Sequence, residues 1–150
     1  MLKILGTVFL FVSILAGTAS AKEAVLAIEG YDPVAYFTQD SAVEGSEAHE
    51  VLHDGKLYRF ASEEHRKLFE AEPSRYLPEY GGFCSYGVSQ GYKVPVDPHA
   101  FSVVDGKLYL NFSKGVRARW SKDIAGYIAQ ANENWGNIGA HLRCYESAAC

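Results

Sequence analysis

Two stretches of the chain carry the same short-period pattern of apolar and polar positions on either side of a tight turn. In the first, Val51-Leu52-His53 and Lys56-Leu57-Tyr58-Arg59-Phe60 flank Asp54-Gly55. An Asp-Gly pair between such runs predicts a two-residue hairpin, because both turn positions favour positive φ. In the second, Val104-Asp105-Gly106-Lys107-Leu108-Tyr109 repeats those letters. Each predicted hairpin runs toward a serine. Ser62 caps a helix that opens with Glu63 and Glu64, whose charges suit the positive end of the helix dipole, and that ends before Pro73. Phe112-Ser113 stands in the same relation to the second hairpin. The shared letters are those that any good hairpin uses, so they read as recurrent turn chemistry rather than as an internal duplication.

A longer period takes over near the end. Ile124, Tyr127, Ile128, Ala131 and Trp135 fall on one helical face, with Ser121 and Asp123 marking the start. Upstream, Tyr31 to Phe37 reads as a turn and short strand entered through Asp32-Pro33, and Gln39 to Ala48 as a polar loop. The prediction is an α+β fold: a small antiparallel sheet of two hairpins, with helices near residues 62–72 and 121–135 packed on one face. The many Tyr and Phe and the frequent Gly fit short strands and tight turns better than a helical bundle.

The first residues follow another logic. Lys3 precedes an uncharged, mostly apolar run from Ile4 to Ala16, then Ala19-Ser20-Ala21 and the charged pair Lys22-Glu23. That is the layout of a secretory signal cleaved after Ala21. The competing reading is a retained membrane anchor, but the apolar run is shorter than the about 20 residues a spanning helix needs. A lipid anchor is disfavoured because Thr18, not a cysteine, follows Leu15-Ala16-Gly17. The expected organisation is a signal at 1–21, one domain at 22–136 and a tail at 137–150, in a periplasmic or secreted protein. Since Lys3 is the only charge removed, the net charge of −4 becomes −5. Without a basic stripe, neither nucleic acid nor an anionic membrane surface is an expected partner.

Three cysteines remain, Cys84, Cys144 and Cys150. In an oxidising compartment an odd number leaves one unpaired or pairing between chains. The simplest partition is a tail disulfide between Cys144 and Cys150, with a lone thiol at Cys84. The alternative leaves both tail cysteines free.

Tyr58, Phe60, Ser62, His65, Phe69, Pro73 and Tyr76 are spaced as in the core pattern of the YHS domain, which this stretch resembles. Tyr31-Asp32-Pro33-Val34 and Gly81-Gly82-Phe83-Cys84 are similar to the exported branch of that family, which includes selenoproteins, and the likeness runs from about Gly30 to Trp135. The resemblance implies a metal-linked role, since metal-handling YHS domains carry cysteines for soft ions. This chain departs from them at Ala35 and Ala61, where those members have Cys, and keeps a candidate ligand at His65.

His65 shares a helix face with Leu68 and Phe69, so it reads either as a core histidine or as a ligand or acid–base group in a cleft. Cys84 lies among glycines that let backbone N–H groups approach the sulfur and favour thiolate; its competing reading is a buried small hydrophobe. Asp97-Pro98-His99 is an ordinary turn opener that brings a further imidazole. His49 and His53 read as solvated, and Asn111-Phe112-Ser113 as a glycosylation sequon without force in an exported bacterial-type chain. No phosphate loop, Gly-x-Ser-x-Gly or His-Glu-x-x-His occurs, which leaves nucleotide binding and common hydrolases without support.

Three readings follow. The first is a ligand-binding domain for a transition metal, copper or zinc, held by His65 and Cys84 with Asp32 or His99 completing the shell. The second is a thiol-redox protein using Cys84 alone. The third is a scaffold or interaction domain that buries both residues. An enzymatic role is the less favoured.

Overall fold

The computed structural model describes residues 24–138 and 143–144. The signal at 1–21, Cys150 with its proposed bond to Cys144, and nearly all of the tail lie outside these residues. The fold is α+β, with small, mostly antiparallel sheets and several helices.

The first predicted hairpin is β2 (Ser46–His53) and β3 (Lys56–Phe60), antiparallel, with Val51 opposite Tyr58. The second is β5 (Asp97–Val104) and β6 (Lys107–Asn111), with Ser102 opposite Tyr109. Both turns have positive φ at both central residues: 47° and 75° at Asp54 and Gly55, 50° and 74° at Asp105 and Gly106. The hairpins belong to separate sheets. A short strand β1 (Val25–Leu26) joins β3 in parallel to give the order β1-β3-β2.

The serines cap as expected. Ser62 accepts from the backbone N–H of His65 at 3.2 Å and opens helix α2, Glu63–Ala71. Ser113 accepts from that of Val116 at 3.2 Å and opens a helix over Lys114–Trp120. Pro73 begins a further turn of helix, Pro73–Tyr76. The last helix spans Ile124–Ile138, past the Gly136 at which the periodicity fades, and is opened by the Asp123 carboxylate accepting from the Gly126 N–H at 3.0 Å. One pair of short parallel strands, β4 (Tyr92–Lys93) and β7 (Arg143–Cys144), reaches into the tail.

Three expectations are overturned, the first being the polar loop from Gln39 to Ala48, whose residues 46–48 already belong to β2. Tyr31 to Phe37 is not a turn and strand: after a bridge from Tyr31 to Glu44 the chain turns into a helix, α1, over Ala35–Thr38. The Asp32 carboxylate starts that helix by accepting from Val34 and Ala35. The echo between the halves is also more than turn chemistry, because the whole unit recurs. A 3₁₀ turn at Ala27–Gly30, with positive φ at Ile28 and Glu29, is matched at Glu79–Gly82, with positive φ at Tyr80 and Gly81. Then come α1 or a helix at Ser85–Ser89, a hairpin broken by an irregularity in its first strand, and a Ser-capped helix. The parallel pairing of Leu26 with Leu57 recurs as a bridge from Pro78 to Leu108. Register therefore matches Asp32 with Cys84, Phe60 with Asn111, His65 with Val116 and Phe69 with Trp120.

Each repeat has a core. Tyr36, Tyr58, Phe60, Phe69 and Tyr76 fill the first, and Tyr80, Val88, Trp120 and Ala131 the second, against which Tyr127, Ile128 and Trp135 of the last helix pack. Strand β6 serves both. Leu108 and Leu110 face the first core while Tyr109 between them faces the second, as the two-residue period of a strand allows.

Candidate functional site

Asp32 is fully buried, and an ionised carboxylate in such a place needs a complete set of donors. One oxygen accepts from the N–H of Val34 at 2.8 Å and of Ala35 at 3.3 Å. The other accepts from the N–H of Ala61 at 2.8 Å and lies 2.6 Å from His65 Nδ1, which donates to it. His65 reaches this carboxylate because Ser62 fixes the first turn of α2 just beyond the end of β3. Its Nε2 lies 3.4 Å from Thr38 Oγ1, whose hydroxyl donates to the Val34 carbonyl at 3.1 Å. The Asp32–His65 pair thus ties the start of α1 to the crossing from β3 into α2.

Cys84 occupies the matching position in the second repeat. Its Sγ accepts from the N–H of Gly87 at 3.4 Å and of Phe112 at 3.3 Å, the counterparts of Ala35 and Ala61. The thiol donates to Asn111 Oδ1 at 3.7 Å, which also accepts from the Tyr86 N–H at 3.3 Å. The glycine-rich segment does present N–H groups to the sulfur, but the expected thiolate does not follow. Cys84 is only 1% exposed, and burial pushes its thiol above the ordinary value, outweighing the opposing N–H groups of Gly87, Phe112 and Tyr86.

Of the four metal candidates, the structure brings together Asp32 and His65. Cys84 takes its partners from the second repeat. His99 is exposed on β5, its Nε2 3.3 Å from the Tyr31 hydroxyl and its backbone N–H donating to the Asp97 carboxylate at 2.9 Å, so Asp97-Pro98-His99 begins a strand and is not the turn opener expected. Among the described residues no three His, Cys, Asp or Glu side chains are grouped to hold a metal ion. His49 and His53 are half-buried rather than solvated, beside Glu63 at 3.4 Å and Asp54 at 3.5 Å.

A different feature escaped the sequence. A groove of about 760 Å³ runs between the repeats, walled by Val25, Leu26 and Leu52 on one side and Phe83 and Val96 on the other. Lys56 and Lys93 both enter it, their ammonium groups 5.8 and 5.4 Å from the centre of the Phe83 ring, with Lys93 also 6.0 Å from Trp135. Lys56 Nζ donates to the Gly81 carbonyl. Burial, and then the charge of Lys93, hold the Lys56 ammonium below its ordinary value. The repeat explains why Lys56 has no carboxylate partner among the described residues. Lys107, the counterpart of Lys56, meets Glu79 at 3.6 Å, but Ala27 stands where Glu79 would be in the first repeat. Lys56 opens the hairpin strand and Lys93 lies in the other half, so no local motif links them.

No protein-family model, no curated protein and no solved structure matches the chain. Among the described residues no helix is long and apolar enough to cross a membrane.

Proposed function

We propose that this chain is an exported, non-catalytic binding domain of the YHS type, working through its surface rather than through a metal or thiol centre. The observation that supports this reading is the role of the residues that carry the YHS likeness. Tyr58, Phe60, Phe69 and Tyr76 are core aromatics, Ser62 is a helix cap and Pro73 starts a helix turn. His65 is tied to the buried Asp32. The motif therefore accounts for the fold and leaves the chemistry of the surface unspecified. Cys84, which both the metal and the redox readings need, is buried and hydrogen-bonded as a neutral thiol.

The test is titration of the reduced protein with Cu(I) and with Zn(II), alongside His65→Ala and Cys84→Ser. The expected result is no stoichiometric uptake that depends on either residue. One equivalent bound by the wild type and lost in both variants would overturn the proposal in favour of a copper or zinc site. Rapid peroxide-dependent labelling of native Cys84 would overturn it in favour of the redox reading.

A further inference from the structure

We propose that the groove between the repeats binds a small amphiphilic carboxylate, an aliphatic-tailed monoanion whose head lies between Lys56 and Lys93 and whose tail lies along Val25, Leu26 and Leu52. This rests on the binding-domain reading and names its ligand class.

Charge complementarity selects the head. Two ammonium groups held over one aromatic ring repel each other, and an anion between them removes that repulsion. Neither lysine has a carboxylate within ion-pair distance among the described residues. Lys56 gives one N–H to the Gly81 carbonyl, which leaves two for a ligand. Glu29 and Asp54 also line the groove, Asp54 with its carboxylate 3.5 Å from His53 Nε2. With two acids on the rim and two lysines inside, the groove suits a single negative charge and repels a polyanion.

Exposed apolar surface selects the tail. Val25 is 64% and Leu52 65% exposed, and Leu26 and Phe83 also line the groove. Large apolar side chains left open beside a pair of cations form an amphiphilic surface rather than scattered exposure. The volume of about 760 Å³ falls within the roughly 300–1,000 Å³ of small-molecule sites.

The experiment is calorimetric titration of the full processed chain with dodecanoate below its micellar concentration, with tryptophan emission as a second signal because Trp135 adjoins Lys93. One saturable equivalent is expected. Lys56→Gln and Lys93→Gln should each weaken binding about tenfold or more, the loss of a charged hydrogen bond. Dodecanol and dodecyltrimethylammonium should bind at least as much more weakly. Failure of dodecanoate to bind, equal binding of dodecanol, or wild-type affinity in both lysine variants would overturn the proposal. Binding that appears only after removal of the residues before Ala24 would also overturn it, by showing the chain's own amino-terminal segment to be the occupant. Each of these failures concerns the ligand alone and leaves the metal and peroxide tests as the judge of the binding-domain reading.

Discussion

Cys84 stands in the second repeat where Asp32 stands in the first, and the two side chains accept hydrogen bonds from matching backbone groups. Ala35 and Ala61 donate to the carboxylate, Gly87 and Phe112 to the sulfur. The third partner differs: His65 meets Asp32, and Asn111 meets Cys84. A charged staple in one copy is thus a neutral one in the other. Both hold the entry of a short helix against the end of a hairpin.

Removing the charged staple should be costly. Asp32→Ala leaves His65 and three backbone N–H groups without their acceptor in a buried place, and should destabilise the fold by about 3–5 kcal/mol. Urea denaturation measures it. A cost below about 1 kcal/mol would show that water reaches these donors.

The neutral staple predicts a pH dependence. The Cys84 thiol titrates higher in the folded chain than its ordinary value of 9.0, so the folded state favours the protonated form. Its contribution is complete below that value and is lost as the pH rises through the folded one. Stability of the wild type should fall more steeply above about pH 9 than that of Cys84→Ala. Parallel curves from denaturation at stepped pH would contradict the burial argument.

Equivalent turns should respond equally. A Cβ on Gly55 or on Gly106 meets nothing within 4 Å, so the cost of alanine there is the strain of positive φ alone. Gly55→Ala and Gly106→Ala should each lose about 1–2 kcal/mol. Thermal unfolding with a clear difference between them would mean that the hairpins are not energetically alike.

Phe69 and Trp120 are matching core aromatics with no exposed surface. Phe69→Ala should cost about 3–5 kcal/mol, and Trp120→Ala a similar amount. A loss under about 1 kcal/mol at Phe69, seen by denaturant titration, would place the inner face of α2 elsewhere.

Local chemistry made the hairpins and caps legible, because Asp54-Gly55, Asp105-Gly106, Ser62 and Ser113 act within a few residues of themselves. The inward face of His65 and Phe69 followed from helical spacing, but Leu68, which the same spacing put on that face, is exposed. Helix α1 was not legible, since four residues carry too little period and a side chain outside the helix starts it. The repeat was hidden for another reason. Its matched positions conserve geometry and not chemistry, as Asp32 with Cys84, Phe60 with Asn111 and His65 with Val116 show. The lysine pair was invisible because the fold alone brings Lys56 to Lys93.

The alternation along β6 has a consequence for how the molecule comes apart. With Leu108 and Leu110 in one core and Tyr109 in the other, neither half owns a complete interior. The first half cut off alone would lose two leucines from its centre. The second alone would turn those leucines to water. Cooperativity is therefore built into a single strand, and the two copies melt together instead of behaving as beads on a string.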